Sequence, residues 1–122
     1  MNMNSTVSVL PSAARTATNV SDDLTNMYAK GLHLVIDVTN IVSTPSITVT
    51  IHGKDYLSGK YYTILASAAI TATGTTVLKV FPSATASANV AANDILPTNW
   101  RVSVTHGNAN SITYSVAASL VG

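Results

Sequence analysis

Three histidines, five aspartates and many serines are the side chains of this chain that could do chemistry; Glu, Gln and Cys are absent. Without Cys there are no disulfides, thiolate metal ligands or thiol nucleophiles. His33 and Asp37 fall on one face of an alternating stretch, and His52 lies on the outward face of the next such stretch. If those stretches paired, a His–Asp–His group would form, and histidine is the commonest metal ligand. Residues four apart on a strand, however, are separated by about 13 Å, too far to share one ion. No metal site is therefore expected. His106 stands beside Gly107 as a turn residue. Asp22 and Asp23 are neighbours in a polar stretch, while Asp55 and Asp94 sit singly among turn residues. None of these places two carboxylates across a cleft, as paired-carboxylate hydrolysis requires. No serine lies in a G-x-S-x-G elbow, and Gly53-Lys54 lacks the glycine frame of a phosphate loop. The inventory predicts a protein that is not an enzyme, with no catalytic residues, no cofactor and no metal.

The aromatic residues offer one alternative. Tyr56, Tyr61 and Tyr62 cluster around one glycine-bounded hairpin. Rings exposed together can stack on the C–H faces of a sugar. Alternation along a strand sends Tyr61 and Tyr62 to opposite faces, so core and edge roles are equally open to them.

These residues need elements to position them. A length of 122 residues predicts one domain. Charged residues are only 9% of the chain, and the net charge is +1. The cations Arg15, Lys30, Lys54, Lys60, Lys79 and Arg101 are scattered singly. Nucleic-acid binding needs clustered cations, so it is not expected. So weakly charged a surface suits a protein whose faces are covered by partners. The first 15 residues carry neither the basic nor the apolar segment of a secretory leader. No apolar run approaches the 18 residues of a membrane-crossing helix, so no membrane partner is expected.

Thr, Ser, Ala, Val and Asn dominate the chain, a composition suited to short strands and turns. Residues 1–28 are polar and read as an extended N-terminal arm leading into a first edge strand, with residues 29–122 as the sandwich domain. Residues 6–10 form a strand-like segment that Pro11 should end, and residues 16–20 a first strand stopped by Asp22-Asp23. Clear period-2 alternation then marks residues 32–38, 47–52, 60–65, 76–81, 100–105 and 112–120. Residues 53–59 join two of these as a hairpin. Residues 83–94 read as a crossover with one helical turn at most, because Ser, Thr and Asn oppose the alanines. The alternation places Leu34, Ile36, Val49, Ile51, Trp100, Val102, Val104, Tyr114 and Val116 in the core. About seven strands in a hairpin-rich order predict an all-β, immunoglobulin-like two-sheet antiparallel sandwich. The Leu96-Pro97-x-x-Trp100 run resembles the corner and sixth strand of such domains, although the immunoglobulin cysteine pair is absent.

The blocks GLHLVIDVTNI, GKYYTILASAAITATGTTVLKVFP and LPTNWRVSVTHGNANSITYSVAASL resemble small virion proteins of tailed bacteriophages. The resemblance covers residues 30–122 and leaves the arm outside it. It implies a virion structural protein with an immunoglobulin-like sandwich, made in the host cytoplasm and carried on the outer surface of the head as a decoration (cement) protein. The implied partners are the major capsid protein and further copies of the chain. A tail or baseplate component is an alternative within the same resemblance. A carbohydrate-binding host-attachment module built on Tyr56, Tyr61 and Tyr62 is an alternative from another class. On the decoration reading the arm pairs with a neighbouring chain by strand addition. Val7, Val9 and Leu10 are its apolar anchors, Pro11 ends the paired segment and Arg15 carries the only charge of the first 20 residues.

Overall fold

A computed structural model describes residues 5–122. The expected arm residues 1–4 lie outside the described residues. Among the described residues there are ten strands and no helix: β1 (Ser5–Arg15), β2 (Asn19–Val20), β3 (Leu24–Thr25), β4 (Gly31–Ile41), β5 (Ile47–Lys54), β6 (Tyr61–Ala66), β7 (Gly74–Val80), β8 (Ala91–Ala92), β9 (Asn99–His106) and β10 (Ile112–Val121). The first sheet runs β1-β10-β4-β7-β8 and the second β2-β9-β5-β6, with β3 also pairing β9.

The strands form because alternation gives each an apolar face to bury. In β5 every second residue from Ile47 is buried, and in β10 the same holds from Ile112. The two inner faces meet in a single core, and all nine residues expected there are at most 1% exposed. Trp100 and Tyr114 are the largest fully buried side chains.

The expected two-sheet antiparallel sandwich is the fold. Its strand order is that of a jelly roll, in which the chain passes repeatedly from one sheet to the other. An immunoglobulin sandwich would pair its last two strands in one sheet. Here β9 and β10 lie in opposite sheets, so residues 107–111 bridge the two layers. The hairpin order inferred from the sequence fails at this point because a short Gly-Asn turn serves either connection.

Three local expectations also change. β1 does not stop at Pro11. It runs on to Arg15 and pairs β10 along its length, with register shifts at Ser8/Leu10 and Leu10/Ala13. An irregular edge strand has no use for the N–H that proline lacks. Of residues 16–20, only Asn19 and Val20 pair, against β9. In the crossover, Ala91 and Ala92 pair in parallel with β7 instead of forming a helical turn. Ser83 and Asn89 take positive φ there, which breaks the run of alanines.

Buried hydroxyls and one amide close the places where ladders run out. Ser21 Oγ accepts from Val102 N–H at 3.0 Å, and Ser67 Oγ accepts from Val49 N–H at 2.9 Å. Asn26, 6% exposed, donates to the Ala29 and Leu96 carbonyls and accepts from Ala29 N–H. It ties the β3–β4 loop to the long β8–β9 loop. The ladders fix which loops share an end. Ser5 pairs Leu120, Val121 pairs Gly31, Thr25 pairs Asn99 and Lys54 pairs Tyr61. The β3–β4, β5–β6 and β8–β9 loops therefore project from one end of the sandwich, with Ser5 at the same end.

Candidate functional site

The most developed polar arrangement lies on the outer face of the second sheet. Alternation turns His52 and Lys54 of β5, Tyr61 of β6, and Arg101 and Ser103 of β9 to that face. Register then sets them side by side: His52 is opposite Arg101, and Lys54 is opposite Tyr61. The Tyr61 hydroxyl donates to Asp23 Oδ1 at 2.7 Å, so the side chain reaches from an edge strand to the β2–β3 connection. Lys54 Nζ meets Asp23 Oδ2 at 2.9 Å. These two donors hold the Asp23 carboxyl below its ordinary range, Lys54 contributing most, and Asp23 in turn raises Lys54.

The Arg101 guanidinium sits 3.4 Å from the centroid of the Tyr61 ring, and Lys54 Nζ lies 5.4 Å from it. His52 approaches the same ring edge-on with centroids 6.5 Å apart, and its Nε2 is 2.9 Å from Ser103 Oγ. Burial, with the Arg101 charge second, lowers the His52 pKa and favours the neutral ring. His52 Nδ1 and Arg101 Nε are both buried with no hydrogen-bond partner among the described residues. The arrangement offers a stacked guanidinium and a neutral imidazole in contact with a largely buried serine hydroxyl.

A second group stands at the opposite end. Arg15 lies 4.6 Å from the Tyr114 ring centroid and donates to the Tyr114 carbonyl at 2.8 Å. Its other guanidinium contacts are the Pro11 and Ala13 carbonyls. His106 Nε2 is 3.0 Å from the Tyr114 hydroxyl, and the two rings are 5.8 Å apart. Burial and then Arg15 lower the His106 pKa, while burial raises that of Tyr114.

The residues singled out from the sequence are distributed differently from the expectation. Val9 and Leu10 are buried in this chain's own core, and Val7 packs against it. Arg15 is bound to its own β10, and only Pro11 is openly exposed. From Ser5 onward, then, the segment read as a free arm is an edge strand of the first sheet, because Val9 and Leu10 find their apolar surface at home. Tyr56 is 85% exposed at the hairpin tip. Tyr61 is engaged with Arg101 and Asp23, whereas Tyr62 lies against Gly53 on the other face of β6. A Cβ at Gly53 would meet the far end of the Tyr62 ring, so any larger residue there must displace that half-exposed tyrosine. The three tyrosines share no common platform. His33 and Asp37 are exposed on the first sheet, a different layer from His52. No group of three metal-ligating side chains occurs among the described residues.

One feature escaped the sequence reading. Met27, Tyr28, Tyr56, Leu57 and Ile95 are 58–89% exposed, and all lie on the three loops that share one end. No periodicity marks them, because the end they share is set by the ladder register.

Neither a protein family nor a curated protein matches the chain in sequence. Among solved structures, the chain is similar to one in "Structure of infectious bursal disease virus Gx strain", with 11% identity and a TM-score of 0.58. A chain in the corresponding Gt strain structure has 12% identity and a TM-score of 0.49. In each case 99% of this chain is covered but 33% of the other, so the present chain spans about a third of those proteins. At such identity the likeness to the Gx strain chain is one of fold, and the fold they share is the all-β two-sheet sandwich.

Proposed function

We propose that this chain is a structural protein of a virus particle: a decoration (cement) module of the tailed-phage kind its sequence resembles. It binds the outside of the head beside the major capsid protein and copies of itself. The observation that carries this reading is the jelly-roll sandwich, similar in fold to a chain from a virus structure, in a protein with only 9% charged residues. The inventory of side chains supports a non-enzymatic role. The loop end that carries Met27, Tyr28, Tyr56, Leu57 and Ile95 is the contact surface, because grouped exposed apolar residues mark interaction sites. Several such contacts on one shell stabilise it by avidity.

The test is co-sedimentation of the purified protein with particle shells that lack it. Binding that Tyr56→Ser with Leu57→Ser weakens at least tenfold is the expected result. Failure to bind any shell would contradict the reading. The exposure of Tyr28 and Tyr56 at one end also favours a second reading, a carbohydrate-binding attachment module. Glycan binding lost on Tyr56→Ala, with no shell binding, would select it.

A further inference from the structure

Two sets of side chains repeat one construction. In each, a histidine and an arginine share a tyrosine. Arg101 stacks on Tyr61 at 3.4 Å with His52 edge-on at 6.5 Å, and Arg15 stacks on Tyr114 at 4.6 Å with His106 at 5.8 Å. The first set spans β5, β6 and β9 and, through Asp23, the β2–β3 connection. The second joins β1, β9 and β10. Each therefore clips an edge strand to its sheet: β6 in one layer and β1 in the other.

We propose that these two His–Tyr–Arg sets are acid-sensitive clips, intact when both histidines are neutral and loosened when protonation places a second cation beside each arginine.

The surroundings give protonation little compensation. Around His52, β9 contributes Arg101 and Ser103, β6 contributes Tyr61, and Lys54 lies two residues along its own strand. The single carboxylate nearby, Asp23, is already held by Lys54 and Tyr61. The neutral ring meets Ser103 Oγ through Nε2 in either tautomer, its Nδ1 is buried without a partner, and the buried Nε–H of Arg101 is an unpartnered donor. The imidazolium carries N–H on both nitrogens, so when His52 is charged Nδ1 is a buried donor without a partner, beside a like charge. Around His106, β10 contributes Tyr114, β1 contributes Arg15, and no carboxylate takes part in this set. Burial and the arginine charge both lower the pKa at each histidine.

The sign follows from linkage. A histidine whose folded pKa is depressed binds fewer protons in the folded than in the unfolded state. Its contribution to stability is complete above the unfolded value of 6.5 and is lost as pH falls from there through the folded value. Stability therefore begins to fall just below neutrality, and β1 and β6 are the strands released when the folded histidines take up a proton.

The experiment is thermal unfolding of the full chain from pH 8 to pH 5 at fixed ionic strength. It uses the wild type, His52→Gln, His106→Gln and the double variant, with the exposed His33→Gln as control. The wild type should lose about 5 °C or more across this range, an ordinary response to a modest change in stability. Each single variant should lose about half of that slope, and the control should keep all of it. An independent measurement, histidine ring proton shifts against pH in the wild-type protein, reads the two sites directly. Both should titrate below 6.5. The proposal is overturned if either histidine titrates at or above 6.5, or if the double variant retains the wild-type slope.

Discussion

At the scale of the residue, Trp100 organises the core. It is 1% exposed, lies opposite Gly53 on β5, and its indole N–H is buried without a hydrogen-bond partner among the described residues. Trp100→Ala should lower the unfolding free energy by about 3–5 kcal/mol, as cavity formation in a core does. Trp100→Phe should cost clearly less, because it keeps much of the ring and removes a donor that has no partner. Urea titrations of both variants test the pair, and equal losses would contradict this placement. Asn26 is the polar counterpart. Its three hydrogen bonds join two loops, so Asn26→Ala should cost about 2–3 kcal/mol by leaving buried backbone groups unpaired. Nothing in the sequence distinguishes Asn26 from the chain's other asparagines, since its role depends on a carbonyl 70 residues away.

At the scale of the element, β1 decides between an arm and an edge. Val9 and Leu10 lie in the core, and β1 pairs β10 from Ser5 to Arg15. Deleting residues 1–12 should therefore destabilise the sandwich by several kcal/mol, since it uncovers one edge of β10 and removes two buried side chains. Circular dichroism melting of the deletion tests this, and an unchanged melting temperature would contradict it. The long strands β4, β5, β7, β9 and β10 were legible because each has a clean period of two. β1 was legible only over residues 6–10, since Pro11 and two register shifts blur its alternation. β2, β3 and β8 have two residues each, too few to show any period. The Tyr61 set was hidden for another reason. Its members come from four separate segments, and only the register of β5 against β6 and β9 brings them together. A sequence pattern carries the face of each residue but not its neighbour across the ladder.

At the scale of the whole molecule, sheet order was the quantity least accessible from sequence. Six periodic segments are compatible with several sandwiches, and the jelly roll emerges only when β9 and β10 are seen in opposite layers. That order carries three loops and their exposed apolar tips to one end, and it leaves β1 and β8 as edges of one sheet and β6 as an edge of the other. Pro11, the register shifts of β1 and the two-residue length of β8 are features that discourage open-ended edge pairing. Association should therefore run through the loop end instead of a sheet edge. The central claim, that this chain is a structural component of a virus particle, is tested most directly by a reconstruction of the particle together with its protein composition. Regularly repeated copies of the sandwich are expected on the outside of the head, with Tyr28, Tyr56 and Leu57 facing the shell. Particles that contain no copy of the chain would contradict it.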